Sequence, residues 1–117
     1  MNKKTFSAFL AIMVLLAFSV QASAATEGIG FSRSLTFSGN TAVCNVTTSD
    51  YGKQIDVTME LWCGSTLLDT WTDSGTSLVT VSGSYIGVQS GKTYTLKAHG
   101  TSNGIPFTVT PISKTCP

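Results

Sequence analysis

Apolar and polar residues alternate with a period of two along most of the chain after residue 25, and turn residues separate the alternating runs. The clearest run, residues 55–63, places apolar side chains on one face and Asp, Thr, Glu and Trp on the other. No stretch shows the spacing of an amphipathic helix. A period of two is typical of half-buried strands. The other segments predicted to be strands are 31–37, 42–46, 66–72, 78–81, 93–99 and 105–109.

These runs predict an all-β fold. About seven short strands at a spacing of 8–12 residues are typical of an antiparallel two-sheet sandwich of the immunoglobulin-like type. A closed barrel is the alternative. Turns are predicted at 38–40 and 49–52, and Pro111 is predicted to close the last strand. No linker or repeat divides the chain, so residues 25–117 are predicted to form one domain.

A hairpin with Gly64-Ser65 as its two-residue loop sets a testable register. Cys63 then faces Thr66, and the inner face continues with Leu61 opposite Leu68, Met59 opposite Thr70 and Val57 opposite Thr72. The outer face pairs Trp62 with Leu67, Glu60 with Asp69 and Thr58 with Trp71. A bulge before Trp71 is the alternative. It would turn this indole inward, because a shift of one residue exchanges the two faces.

The chain starts with a pattern of a different kind. Residues 1–24 combine an early pair of lysines, an apolar run at 9–18 and the small residues Ala-Ser-Ala at 22–24, which is typical of a cleaved secretory signal peptide. A transmembrane anchor is the alternative, but the run is too short to cross about 30 Å of hydrocarbon. We therefore expect a mature chain of residues 25–117 that is secreted, extracellular and without a membrane span.

Charge and motif content exclude several functions. Charged residues make up 11% of the chain, and its net charge is +1. Without the signal peptide, five basic residues remain against six acidic ones, a side-chain charge of −1 that argues against nucleic-acid binding. His99, the single histidine, alternates outward, and no phosphate-binding or nucleophile motif occurs. Glu60 and Asp69 face each other but suggest no cleft. We expect no catalysis, no cofactor and no metal site.

Residues 88–98 (VQSGKTYTLKA) resemble the sixth-strand region of fibronectin type III and related immunoglobulin-like domains. The resemblance implies that the Tyr94 ring packs inside and that its hydroxyl bonds to the backbone of the preceding loop. The mature chain is also similar to small secreted β-sandwich proteins of unknown function from Gram-positive bacteria. That similarity rests on the signal segment, the strand at 55–61, Thr70-Trp71-Thr72, Gly91-Lys92-Thr93-Tyr94 and Lys114-Thr115-Cys116. It implies a bacterial secreted protein and supplies no activity.

The three cysteines predict one disulfide, because an exported chain folds outside the reducing cytosol. Alternating strand directions bring Cys44, Cys63 and Cys116 to one end of a sandwich, so all three pairings stay open. The pair Cys44–Cys116 is the preferred prediction. Cys63 then remains either as a half-buried small residue or as the link of a disulfide dimer.

The candidate binding surface is a patch of Trp62, Leu67 and Trp71. Two outward indoles would form a flat apolar platform that stacks on sugar rings or docks a protein. The alternative is that Trp71 belongs to the core. We therefore expect a secreted, non-catalytic binding or adhesion module for a glycan or a protein. A structural extracellular domain with disulfide-linked self-association is the alternative, ahead of a toxin or inhibitor.

Overall fold

The computed structural model describes residues 28–117, and every regular element within them is a β-strand. The predicted signal peptide, residues 1–24, lies outside the described residues. No helix in the described part of the chain could span a membrane. The strands in chain order are β1 (Gly30–Ser38), β2 (Thr41–Cys63), β3 (Thr66–Ile86), β4 (Thr93–Ser102) and β5 (Ile105–Thr115).

All strand pairs are antiparallel, and β2 is the centre of the sheet. Its first half lies between β1 and the second half of β3, and its second half lies between the first half of β3 and β4. The last strand, β5, pairs with β4. The sheet curls so that its outer strands β1 and β5 approach each other, and the rings of Phe31 and Phe107 lie 5.4 Å apart. The result is a half-barrel around one core.

The all-β prediction is confirmed, but residues 28–117 form five strands where the sequence predicts about seven. The turn predicted at 49–52 is a bend inside β2, where Gly52 has a φ of 78° and the pairing with β3 shifts register between Asp50 and Gln54. Its partner β3 continues through the same bend, with Ser77 at a φ of 71°. Local turn residues therefore bend the two long strands without ending them.

The last strand also does not end at Pro111 as predicted, because β5 continues to Thr115. Pro111 lies where the register between β4 and β5 shifts, between the partners of Leu96 and Ala98. A proline on an outer strand or at an irregularity removes no required ladder hydrogen bond. The strand can therefore contain it.

The core consists of the inward rows that the alternation predicts. In β2 the row of Ile55, Val57, Met59 and Leu61 is at most 2% exposed. The rows in the first half of β2 and in β4 are also buried, as predicted: Ala42, Cys44, Val46, Tyr94, Leu96 and Ala98. Phe31 and Phe37 of β1 pack against this cluster from the side. The period-two pattern is thus confirmed for the inward rows of β2 and β4.

The hairpin at Gly64-Ser65 forms, but its predicted register holds only at the tip. Cys63 faces Thr66 and Trp62 faces Leu67, after which the register shifts by one residue. Leu61 therefore faces Asp69 and Met59 faces Trp71, with Leu68 as the extra residue. The predicted pairs further along this hairpin are wrong, and the bulge that was the alternative is present. It moves Trp71 to the inner row.

The inward indole of Trp71 packs between the two halves of β3. It contacts the core cluster and lies over Gly83 in the second half of the strand. A Cβ atom at Gly83 would overlap the indole ring, so the glycine provides the space that this ring occupies. The bulge and the glycine together close this side of the core.

Tyr94 has the role that the resemblance implies. Its side chain is 3% exposed, and its ring lies 5.8 Å from that of Phe37. The hydroxyl accepts a hydrogen bond from the backbone N–H of Gln89 at 2.8 Å. The expected tie between this tyrosine and the preceding loop is confirmed.

The predicted disulfide between Cys44 and Cys116 is not formed, since Cys44, Cys63 and Cys116 are all free thiols. Cys44 is enclosed in the inward row of β2, between Leu35 of β1 and Gly83 of β3. Cys116 follows β5 and is anchored on the β4 side, where its N–H donates to the carbonyl of Lys92. The predicted approach of these residues at one end of a sandwich therefore does not bring their sulfurs into bonding distance.

Candidate functional site

Trp62 lies on the outer face of the second half of β2, where two charged side chains hold its indole. The indole N–H donates to Oε1 of Glu60 at 2.9 Å. The ammonium of Lys97 lies 4.5 Å from the centre of the ring, which is a cation–π contact. Glu60 and Lys97 are themselves cross-strand partners. The ring is therefore fixed in place from its edge and from its face.

The structure brings together two of the three residues of the predicted patch. Leu67 lies directly opposite Trp62 and is 45% exposed. Trp71 lies on the inner face and belongs to the packing around Gly83. Asp69 also moves to the inner row, opposite Leu61, so Glu60 and Asp69 do not form a facing pair. Trp62 and Leu67 alone form the apolar part of the surface.

A groove of about 590 Å³ lies further along this half of the sheet, lined by Val57 and Gly100 as well as by polar side chains. Its lining includes two aspartates and several hydroxyl groups, contributed by Asp56, Thr58, Thr72, Asp73, Ser74 and Thr101. The hydroxyl of Thr101 lies 3.5 Å from Oδ2 of Asp56, at the limit of a hydrogen bond. Carboxylates accept and hydroxyls both donate and accept, so this groove can bind other hydroxyl groups.

The groove and the indole share one row of side chains, which we call the outer row of β2: Asp56, Thr58, Glu60 and Trp62. A strand rises about 3.3 Å per residue, so this row spans about 20 Å. The exposed His99 faces Thr58 midway along it. The alternation in the sequence already places these four residues together. The alternation does not reveal the groove, because Thr72 of β3 and Thr101 of β4 lie beside this row only when their strands pair with β2.

The thiols differ in their surroundings. Cys63 is half-buried and lines a second depression of about 330 Å³, together with Leu68, Tyr85, Lys92 and Tyr94. Cys44 is fully buried, and this burial, with a smaller effect of the Asp69 carboxylate, raises its pKa from 9.0 to about 11. Cys63 is therefore the thiol that a reagent or a partner can reach from this depression.

Buried polar groups also occur near the bend in β2. Asp50 accepts a hydrogen bond from the hydroxyl of Ser102 at 2.7 Å, and the ammonium of Lys53 lies 3.9 Å from the same carboxylate oxygen. The hydroxyl of Thr48 is buried without a hydrogen-bond partner. Residues 28–117 contain no cluster of three side chains suited to hold a metal ion. The hydrogen bond between Ser102 and Asp50 ties the bend in β2 to β4.

Comparison of the sequence with models of protein families and with curated protein sequences finds no match.

Proposed function

We propose that the protein is a secreted, non-catalytic binding module that holds a glycan along the outer row of β2. The observation that carries this proposal is the half-buried, outward indole of Trp62, which Glu60 and Lys97 hold in a fixed orientation beside the exposed Leu67. Sugar rings have apolar C–H faces that stack on aromatic rings, and a fixed ring loses little entropy on binding. The ammonium of Lys97 lies over one face of the indole, so a sugar ring would take the place of this ammonium on the ring.

The groove at the other end of the row supports a glycan over a protein ligand. A sugar chain that stacks on Trp62 and extends about 20 Å along the strand reaches Asp56 and Thr101. The carboxylates and hydroxyls there can bond to sugar hydroxyl groups. An apolar protein partner would leave these polar groups unpaired, which costs free energy. Secretion, which places the module outside a bacterial cell, rests on the pattern of residues 1–24.

We further propose that the curled sheet is an immunoglobulin-like sandwich whose two long strands each pass from one sheet to the other. One sheet would contain β1 with the first half of β2 and the second half of β3. The other would contain the first half of β3, the second half of β2, β4 and β5. The change of neighbours along β2 and the hydrogen bond of Tyr94 support this arrangement, which counts seven strand segments.

The function is tested by binding to an array of soluble oligosaccharides and to polysaccharide from bacterial cell walls. Trp62→Ala is expected to weaken binding at least about tenfold, as is usual for a central aromatic contact. The matched control is Tyr51→Ala, which removes an exposed aromatic side chain at the bend in β2, away from the outer row and from the strand edges. Failure to bind any glycan, or equal binding by the Trp62→Ala variant, would refute the proposal.

A structural domain with disulfide-linked self-association is the second candidate. The accessible position of Cys63 favours it, because Cys44 and Cys116 are buried. Electrophoresis without a reducing agent should then show a dimer that is lost in the Cys63→Ser variant. A monomer under these conditions excludes this candidate.

A further inference from the structure

The second half of β3 has an unpaired edge that differs from every other outer edge of the sheet. Among residues 28–117, this segment pairs with β2 on one side and with no strand on the other. An unpaired edge presents N–H and C=O groups to a second strand, and proteins usually protect such edges with proline, with inward charges or with bulges.

The other edges carry such protection. The outer strand β5 contains Pro106 and Pro111. Strand β1 places Arg33 in the row that otherwise faces the core, opposite Val46. The first half of β3 has Asp69 in its inner row, next to the bulge. The second half of β3 has none of these features, and the chain is uncharged from residue 74 to residue 91.

The hydrogen-bond pattern identifies which residues face the free edge. Gly87 donates its N–H to the carbonyl of Asn40, next to the paired residues Thr41 and Ile86. In an antiparallel pair, every second residue of a strand bonds its N–H and C=O groups to the same neighbouring strand. Since Gly87 bonds toward β2, the other odd-numbered residues of this segment also bond to β2. The even-numbered residues therefore direct their N–H and C=O groups to the free edge. They are Leu78, Thr80, Ser82, Ser84 and Ile86, and all are exposed.

This row is self-complementary about Ser82. When two copies align antiparallel around a two-fold axis at Ser82, Leu78 of one copy faces Ile86 of the second, and Thr80 faces Ser84. Apolar side chains then pair at both ends and hydroxyl groups pair between them, which are favourable cross-strand combinations. Leu78 and Ile86 are 60% and 73% exposed, so they have apolar surface to bury. In this register, each even-numbered residue of one copy faces an even-numbered residue of the other, so the free N–H and C=O groups of the two edges can bond to each other.

We propose that the protein self-associates through this edge, with the second half of β3 pairing antiparallel with the same segment of a second copy. Each dimer would join two three-stranded halves, each made of β1, β2 and β3, into one continuous six-stranded sheet. One strand pair buries less surface than most stable interfaces do, so the dimer dissociates on dilution. It requires no disulfide, and it leaves the outer row of β2 free on both copies.

The test measures the mass of the full-length protein by analytical ultracentrifugation over a wide range of concentrations, with a reducing agent present throughout. A concentration-dependent dimer is expected. Ser82→Lys should raise its dissociation constant more than about tenfold, because two lysines then face each other across the axis. Ser34→Lys is the matched control, since Ser34 lies in the same cross-strand row, on the far side of Asn45, and should leave the dimer intact.

A charge-swap experiment keeps the proposal testable if Ser82→Lys has other effects. The Ser82→Asp variant alone should also be monomeric, because two carboxylates would face each other across the axis. An equal mixture of the Ser82→Lys and Ser82→Asp variants should regain the dimer, because residue 82 of one copy faces residue 82 of the other and the lysine then pairs with the aspartate. A monomer at all concentrations, a dimer that survives Ser82→Lys, or a mixture that stays monomeric would each overturn the proposal. The Trp62→Ala variant should still form the dimer, so loss of glycan binding and loss of self-association are separate outcomes.

Discussion

Single residues in this protein act through the hydrogen bonds and the burial that the fold imposes on them. Tyr94 contributes a ring to the core and a hydroxyl to the backbone of the loop before β4. Cys44 is a thiol enclosed among apolar side chains. Trp62, in contrast, is fixed from outside the core, by the carboxylate and the ammonium of its neighbours. Each of the first two cases leads to a measurable effect on stability.

Tyr94→Phe should lower the free energy of unfolding by about 0.5–1.5 kcal/mol, because it removes one hydrogen bond and retains the ring. Chemical denaturation of the two proteins measures the difference. Tyr51→Phe serves as the control, since Tyr51 is 93% exposed and should unfold like the parent. A Tyr94→Phe variant of parental stability would show that the hydroxyl does not stabilise the loop.

The stability of the reduced protein should fall as the pH rises from about 9 to about 11. In this range the unfolded chain loses the proton of Cys44, while burial keeps the thiol protonated in the folded state. The unfolded state then binds fewer protons, so the free energy of unfolding decreases with pH. Denaturation at a series of pH values should show a flatter decline for Cys44→Ala. If the free energy of unfolding falls equally steeply with pH in both proteins, the raised pKa of Cys44 is contradicted.

At the scale of the elements, β3 connects the candidate site, the core and the free edge. Its bulge separates Leu67, which stays on the outer face beside Trp62, from Trp71, which turns inward. Its bend lets Trp71 of the first half pack on Gly83 of the second half. A single strand therefore sets which tryptophan lies on the outer face.

Gly83→Ala should destabilise the protein by about 1–3 kcal/mol, because the added methyl group overlaps the indole of Trp71. In a Trp71→Leu background the same change should cost much less, and the double-mutant cycle measures this coupling. Gly75→Ala in the same strand is the control, because its added methyl group would make ordinary contacts at 3.4 Å. Equal costs in both backgrounds would exclude a contact between Trp71 and residue 83.

At the scale of the whole molecule, the core is closed by curling one antiparallel sheet until β1 meets β5, with Phe31 against Phe107. The cysteines take part in this core as small buried or half-buried side chains and do not cross-link it. The two candidate interaction surfaces, the outer row of β2 and the free edge of β3, lie on different parts of the sheet. One copy can therefore use both.

A reducing agent should leave the thermal unfolding midpoint of the monomer unchanged, because no internal disulfide contributes to its stability. Alkylation of the unfolded, unreduced monomer followed by mass spectrometry should find all three cysteines modified. A fall in the midpoint on reduction, or two unmodified cysteines, would restore the internal disulfide.

The sequence by itself determines the strand character, the inward rows of β2 and β4 and the role of Tyr94, because these depend on local periodicity and on a short motif. It also places Asp56, Thr58, Glu60 and Trp62 on one face. Only the tertiary structure decides where β2 bends, where β3 bulges and how far apart the cysteines lie. These features depend on pairing between residues distant in the chain. A shift of one residue in that pairing turns Trp71 from the surface to the core.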